Sequence, residues 1–144
     1  MSVLEIVVLV VVILLFVALL FALIMIPVAR RARRVKAEME SEAGDAELSE
    51  NAQGLGLQSR GKGQVRGNGW LVLTADELRF RQLVPDRETR VPRAAITAVE
   101  SERWWLGKSV GRKLLIVRWR TPEGGDDAMA WNVRDLDAWL SALQ

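Results

Sequence analysis

Hydrophobic and polar positions divide the chain into three stretches with different spacing. From Ile6 to Ala29 apolar residues follow one another without a charge, and Pro27 is the only helix breaker. The next stretch is polar and largely acidic. From Trp70 onward apolar and polar residues alternate with a period near two, until the last dozen residues adopt a helical spacing. The pattern predicts an apolar helix, a linker and a mainly-β domain that ends in a helix.

The apolar run predicts a single transmembrane helix. At about 1.5 Å per residue it is long enough to cross a hydrocarbon layer of ~30 Å. A cleaved signal peptide has a basic leader and an apolar core of about 7–15 residues, whereas Met1–Glu5 is acidic and the run is longer. A helix that is apolar on all sides does not suit the surface of a small soluble domain. We therefore expect an uncleaved anchor at residues 1–29, with the span at about 6–29.

Five cations directly after the span predict its orientation: Arg30, Arg31, Arg33, Arg34 and Lys36. Basic residues beside a span stay on the cytoplasmic side, so the N-terminus should face outward and the remaining chain should be cytoplasmic. This makes the chain a single-pass protein of the cell membrane, such as a bacterial inner membrane. The cations either fix topology among anionic headgroups or form a specific site for a lipid or partner.

Residues 30–56 are expected to be a basic juxtamembrane stretch followed by an acidic linker. Good helix formers from Val28 to Ala43 allow the helix to continue past Pro27. Six acidic residues and no base lie in 37–59. Few apolar residues accompany Glu38–Glu50, which predicts a solvated linker or a loose helix.

Six or seven short strands and one helix are predicted for residues 57–144. Closely spaced glycines from Gly54 to Gly69 suit turns and bulges. The predicted strands include Trp70–Thr74, Leu78–Arg81, Glu88–Val91, Ala95–Glu102, Leu114–Trp119 and Ala128–Trp131. Leu114–Trp119 is apolar on both faces, as a central strand would be. Asn132 is the expected N-cap of a helix with an apolar stripe at Val133, Leu136, Leu140 and Leu143.

A resemblance to a known family follows from these positions. The pattern Gly69-x-Leu71-x-Leu73-Thr74-x3-Leu78-x-Phe80, then Val91-Pro92-x3-Ile96-x2-Val99, resembles the pleckstrin-homology-like superfamily, especially its GRAM and bacterial PH-type members. The resemblance covers residues 57–144. It implies two nearly orthogonal antiparallel sheets with a C-terminal helix at one end. It also implies a binding module and not a catalyst.

Two basic loops are the candidate lipid or anion contacts. In phosphoinositide-binding members of that superfamily, basic residues on the first two strands and their loop hold the phosphates, and Arg60, Lys62 and Arg66 match the first part of this arrangement. The following strand Trp70–Thr74 has no Lys or Arg, which favours general attraction to anionic lipid. The second candidate loop, flanked by glycines, carries Lys108, Arg112 and Lys113.

The six tryptophans separate into two groups. Trp119, Trp131 and Trp139 lie in apolar patterns and are expected in the core. Trp104 and Trp105 precede the second basic loop, a combination typical of the membrane interface. Because neighbouring strand residues point to opposite faces, at most one of this pair should be buried.

Composition argues against catalysis, metal binding and nucleic-acid binding. The chain has no cysteine and no histidine. It therefore lacks thiolate ligands and the side chain most used for acid–base chemistry near neutral pH. The carboxylates fall mostly in predicted turns or on solvent faces. Residues 60–144 carry 15 Lys/Arg against 11 Asp/Glu, too small an excess for a nucleic-acid binder. We expect no enzyme activity, metal or cofactor.

The sequence thus predicts a membrane-anchored, non-catalytic binding module. Its expected role is to recruit or scaffold a protein partner or to contact anionic lipid headgroups. The alternative is a sensor specific for phosphoinositides or another phospholipid. Ala18-x3-Ala22 is the only close-packing pair in the span, so homo-oligomerisation stays open.

Overall fold

The computed structural model describes all residues from 1 to 144. It has two α-helices, seven β-strands and two short 3-10 helices. In chain order they are α1 Val3–Ala43, β1 Leu48–Leu57, the 3-10 helix Gln58–Arg60, β2 Gly67–Leu73, β3 Glu77–Gln82, β4 Arg87–Pro92, the 3-10 helix Arg93–Ala95, β5 Ile96–Glu102, β6 Leu114–Arg120, β7 Asp126–Asn132 and α2 Leu136–Leu143.

Helix α1 is 41 residues long and continues past Pro27, as the helix-forming residues after it predict. It is the one helix of the chain that is long and apolar enough to cross a membrane, and none of its apolar stretch is buried within the protein. By length and composition such a helix near an N-terminus also suits a signal sequence. It ends at Ala43, and the next residue is Gly44, whose φ of 54° lies in the left-handed region that glycine adopts readily after a helix C-terminus.

The chain divides into two compact units, Met1–Arg34 and Val35–Gln144. The first unit is the apolar part of α1 with the arginines that follow it. The second unit contains the last turns of α1 and all of the strands, and we call it the β unit.

All seven strands form one antiparallel sheet in the order β4-β3-β2-β1-β7-β6-β5. Strands β4 and β5 lie at opposite edges, yet only the three residues Arg93–Ala95 connect them. In a flat sheet the edges would be about 29 Å apart, since neighbouring strands are separated by ~4.8 Å. Three residues and their flanking bonds span at most about 14 Å. The sheet must therefore curl until its two edges approach each other.

The inner face of the curled sheet encloses the main core. Trp119, Trp131 and Trp139 are buried there, as predicted, with Leu71 and Phe80 from the other half of the sheet. Close packing also explains Gly69 on β2, where a Cβ atom would collide with the backbone oxygen of Arg81. Strand β6 is buried on both faces, which confirms its expected position inside the sheet.

The predicted acidic linker is where the structure differs most from the sequence analysis. Strand β1 lies within it, pairs with both β2 and β7, and is the middle strand of the sheet. The last turns of α1 are also ordered within the β unit, where Val35 and Met39 pack on Val72 of the outer face. Acidic residues that looked solvated have partners. Glu50 accepts hydrogen bonds from Trp139 Nε1 at 2.5 Å and from the backbone N–H of Arg134 at 3.2 Å.

The start of α2 is also corrected. Asn132 ends strand β7 and does not cap the helix. Asp135 is the N-cap, and its carboxylate accepts a hydrogen bond from the backbone N–H of Ala138 at 3.2 Å. Aspartate and asparagine suit an N-cap equally well, so residue preference does not distinguish Asp135 from the predicted cap Asn132.

Candidate functional site

The two predicted basic loops lie side by side in the β unit, although more than forty residues separate them. Lys108 Nζ donates to the backbone oxygen of Lys62 at 3.2 Å and to that of Leu55 at 3.4 Å. Arg66 Nη2 donates to the backbone oxygen of Ser109 at 3.0 Å. The structure therefore brings Lys62, Arg66 and Lys108 together on one surface.

Trp105 anchors the second of these loops to the sheet. Its ring is 7 % exposed and packs with Leu55, Leu114 and Ile116 on the outer face. Its Nε1 donates to the backbone oxygen of Gly56 at 2.8 Å. A buried, hydrogen-bonded ring is a structural residue, so Trp105 is removed from the membrane-interface candidates.

Trp104 has the opposite environment and is 67 % exposed. The prediction that at most one of the two neighbouring tryptophans is buried is confirmed. Val65, on the first basic loop, is also exposed, at 75 %. Each basic loop region thus presents one large apolar side chain to solvent beside its cations.

The cations of these loops differ from those on the strands in their electrostatic partners. Most strand arginines are paired with carboxylates, as Arg81 is with Asp86 at 2.8 Å and Arg90 with Glu88 at 2.9 Å. No carboxylate lies within 4.0 Å of the loop cations. We call these six residues the basic end: Arg60, Lys62, Arg66, Lys108, Arg112 and Lys113.

Not all members of the basic end contact the opposite loop. Arg60 lies at the end of a 3-10 helix that Ser59 fixes by donating to Asp127 at 2.7 Å. Arg112 Nη2 donates to the backbone oxygen of Arg134 at 3.3 Å, toward β7. Lys113 is exposed immediately before β6. The positive charge of the basic end is therefore spread over the surface and not concentrated in one pocket.

The juxtamembrane cations fall into both units. Arg30, Arg31, Arg33 and Arg34 are exposed on α1 in the first unit. Lys36 belongs to the β unit, where its Nζ lies 4.9 Å from the centre of the Trp70 ring and 4.0 Å from Glu40. Lys36 thus contributes a cation–π contact to the packing of α1 on the sheet.

Arg79 and Arg81 lie on β3, one strand later than the phosphate-binding arrangement of the resemblance requires. The structure shows that both are bound to carboxylates of the protein itself. Arg79 is 4 % exposed and bonds Glu88 and Glu42, each at 2.7 Å. Burial lowers the pKa of Arg79, but the hydrogen bonds from its guanidinium to Glu88 and Glu42 outweigh burial and raise the pKa above its usual value. Both arginines therefore have a structural role.

A second polar surface was missed by the sequence analysis. It is a shallow groove of about 270 Å³ on the outer face of the sheet, where β2, β1 and β7 run side by side. We call it the carboxamide groove, because Asn51, Gln53, Asn68 and Asn132 line it together with Ala52, Arg112, Val133 and Arg134. The chain contains three asparagines, and all of them lie here. The sequence does not show this clustering, which becomes visible only when the pairing of the strands is known.

Taken together, the fold defines the class of this protein: a mainly-β antiparallel domain preceded by one long apolar helix. No family model matches the chain, and no curated protein matches it. Among solved structures, the C-terminal domain of an unknown protein from Leishmania infantum is similar, with 19 % identity and a TM-score of 0.51. The similarity covers 75 % of this chain and 89 % of that one, and it shows the fold alone.

Proposed function

We propose that the protein is a single-pass membrane protein whose β unit is a PH-like, non-catalytic module that binds anionic phospholipid headgroups through the basic end. The apolar part of α1 is the uncleaved anchor. The cations at 30–36 hold the N-terminus outside and the β unit in the cytoplasm.

The observation that carries this proposal is a set of six cations without a carboxylate partner beside an exposed tryptophan. Near an anionic leaflet each Lys or Arg contributes about 1 kcal/mol. An indole is favoured at headgroup depth, because its ring is apolar and its N–H is polar. Trp104 therefore adds an interfacial contact to a charge attraction that is otherwise unspecific.

The PH-like assignment is supported by the positions of the residues that carry the resemblance. Leu71, Leu73, Leu78 and Phe80 are all buried in the main core, and Val91 joins them from β4. Residues of β2 and β3 share this core with residues of β6 and β7, which favours the two packed layers that the resemblance implies. The C-terminal helix packs against the same core through Trp139.

The test uses the full chain in lipid nanodiscs of phosphatidylcholine, with or without phosphatidylserine. Brominated acyl chains quench a tryptophan that reaches the headgroup region. We expect quenching of Trp104 in anionic discs, obtained as the difference between the wild type and Trp104→Phe. It should weaken as salt rises, because exposed charges are screened over about 10 Å at 0.1 M.

Charge reversal identifies the surface that makes the contact. Lys62→Glu and Lys113→Glu should each weaken the quenching at least several-fold, whereas the control Arg120→Glu, at the end of β6 opposite Lys113, makes the same change of net charge. An equal loss in the control, or no quenching in anionic discs, contradicts the proposal and favours a protein partner. Discs that contain a phosphoinositide at matched charge should give no more quenching of Trp104 than discs that contain phosphatidylserine, since the phosphate-binding arrangement of the resemblance is incomplete.

A further inference from the structure

The register of the strands aligns the carboxamide side chains that form the floor of the carboxamide groove. Gln53 on β1 lies directly opposite Asn68 on β2 and directly opposite Asn132 on β7. Residues directly opposite each other share a face of the sheet, with strands ~4.8 Å apart. Three carboxamides therefore form a row across three strands. Asn51 follows on the same face of β1, two residues from Gln53.

These carboxamides make no side-chain hydrogen bond within the protein. Asn132 Oδ1 is also closed to solvent, so this acceptor is unsatisfied. Such groups are rare in native proteins, since leaving one unpaired costs about 1–3 kcal/mol. Elsewhere an amide is used by the fold: Gln64 donates to Leu57 and Gly61 at 2.6 and 2.7 Å, and accepts from the N–H of Leu57 at 3.0 Å.

Two guanidinium groups stand beside this floor. Arg112 comes from the second basic loop and Arg134 follows β7, and Arg112 Nη2 donates to the backbone oxygen of Arg134. No carboxylate lines the groove. Glu50, the nearest acid in β1, lies on the inner side, where it accepts from Trp139 Nε1. The charges that face the groove are therefore positive and not neutralised by the protein.

We propose that the carboxamide groove binds a phosphate ester that carries hydroxyl groups. Guanidinium groups suit phosphate oxygens, and the carboxamides of Asn51, Gln53 and Asn68 each offer both a donor and an acceptor, as a hydroxyl does. Asn132 offers only its amide N–H groups, because its Oδ1 is closed to solvent. A volume of about 270 Å³ suits a small molecule of this kind. The shared chemistry is that of glycerol phosphate, present as the headgroup of phosphatidylglycerol or as a free ester. The inference goes beyond the lipid contact proposed above and shares only Arg112 with it.

Binding is tested on the full chain in phosphatidylcholine nanodiscs by ligand-observed NMR and calorimetry. The probes are glycerol 3-phosphate, inorganic phosphate and glycerol. We expect glycerol 3-phosphate to bind at least ten-fold more tightly than either of the others. Equal binding of glycerol 3-phosphate and inorganic phosphate, or no binding of glycerol 3-phosphate, overturns the proposal.

Variants that keep the net charge assign the site. Gln53→Ala and Asn132→Ala should each weaken glycerol 3-phosphate binding at least ten-fold, whereas Gln58→Ala, outside the groove, should not. Without ligand, the melting temperature of Asn132→Ala should equal or exceed that of the wild type, because the lost acceptor is unpaired. If the control weakens binding as much as the groove variants do, the proposal fails. Gln53→Ala decides the matter if Asn132→Ala does not fold.

The source of the ligand is determined by competition. Phosphatidylglycerol in the nanodisc should compete with glycerol 3-phosphate if the lipid headgroup occupies the groove, and phosphatidylserine at equal charge should not. Absence of competition identifies the free ester as the ligand. Neither Gln53→Ala nor Asn132→Ala alters charge, so both should leave the quenching of Trp104 unchanged. A failure of ligand binding in the carboxamide groove can therefore be distinguished from a failure of the lipid contact, which the charge reversals test.

Discussion

At the residue scale, the cations of the β unit fall into two groups, those paired with carboxylates of the protein and those without such a partner. Arg79 is buried on the outer face of β3 and joins Glu88 of β4 to Glu42 near the end of α1. The cations of the basic end have no such partner. The sequence shows both sets simply as arginines and lysines. Only the proximity of carboxylates separates structural cations from those available to a ligand.

The network around Arg79 predicts a pH-dependent stability. Burial raises the pKa of Glu88, but hydrogen bonds from Arg79 and Arg90 outweigh it and lower the pKa below its ordinary value of 4.5. A carboxylate with a lowered folded pKa stabilises the fold fully above the unfolded pKa and loses this contribution as pH falls through the folded one. Glu88→Gln should therefore lower the free energy of unfolding by about 2 kcal/mol at pH 7.

Chemical denaturation of the full chain between pH 3 and pH 7 measures this effect. The difference between the wild type and Glu88→Gln should shrink as pH falls below 4.5, the ordinary pKa. Glu102→Gln, an exposed glutamate on β5, is the control and should have little effect. A difference that stays constant down to pH 3 would show that Glu88 does not act through its charge.

The neighbouring tryptophans at 104 and 105 predict opposite mutational effects. Trp105→Ala removes a buried ring and leaves a cavity on the outer face, which should lower the free energy of unfolding by about 3–5 kcal/mol. Trp104→Ala removes an exposed ring and should change stability by less than about 0.5 kcal/mol. Denaturation followed by circular dichroism checks both. Comparable losses in the two variants would contradict the assignment of Trp105 as the anchor.

At the element scale, β1 changes where the domain begins. The sequence pattern predicts a start at residue 57, because residues 48–57 include few apolar side chains and contain Gly54 and Gly56. Its sheet neighbours require small residues there, since a Cβ on Gly54 would meet Met129 and Phe80. A strand that packs through glycines carries little hydrophobic periodicity, which is the physical reason why pattern analysis misses it.

Truncation tests the role of β1 directly. A fragment of residues 35–144 keeps the strand that pairs with both β2 and β7, and it should give a dispersed NMR spectrum. A fragment of residues 55–144 lacks most of β1, so backbone groups of β2 and β7 lose their partners inside the sheet. It should be unfolded or aggregated. A folded 55–144 fragment would show that β1 is dispensable.

At the scale of the whole molecule, the anchor and its orientation remain predictions with a direct test. A reporter that is active only in the cytoplasm, fused after Gln144, should be active, because cations at 30–36 stay on that side. The mass of the mature protein should include Met1–Ala29 or lack only the initiator methionine. Moving the cations to the N-terminal side of the span should invert the result. A mature chain that begins beyond the apolar run would identify a signal sequence.

The sequence by itself determined what depends on neighbours along the chain. An uninterrupted apolar run produces a long helix, and alternation produces β2 to β7 and the two-faced burial of β6, because both periodicities are local properties of the backbone. It also limited the chemistry, since a chain without histidine or cysteine lacks the side chains on which most acid–base and thiolate chemistry depends.

Only the tertiary structure decided what depends on register and curvature. The pairing of β1 with β2 and β7 aligns Asn68, Gln53 and Asn132, residues far apart in the chain. The curl of the sheet brings the edge strands β4 and β5 within the reach of the three residues that connect them. The two basic loops meet because Trp105 and Lys108 of the second loop bond the backbone of β1, at Gly56 and Leu55, just before the first loop begins. Trp105 is buried there, while Trp104 is exposed. These outcomes are set by contacts between distant strands, which no local pattern records.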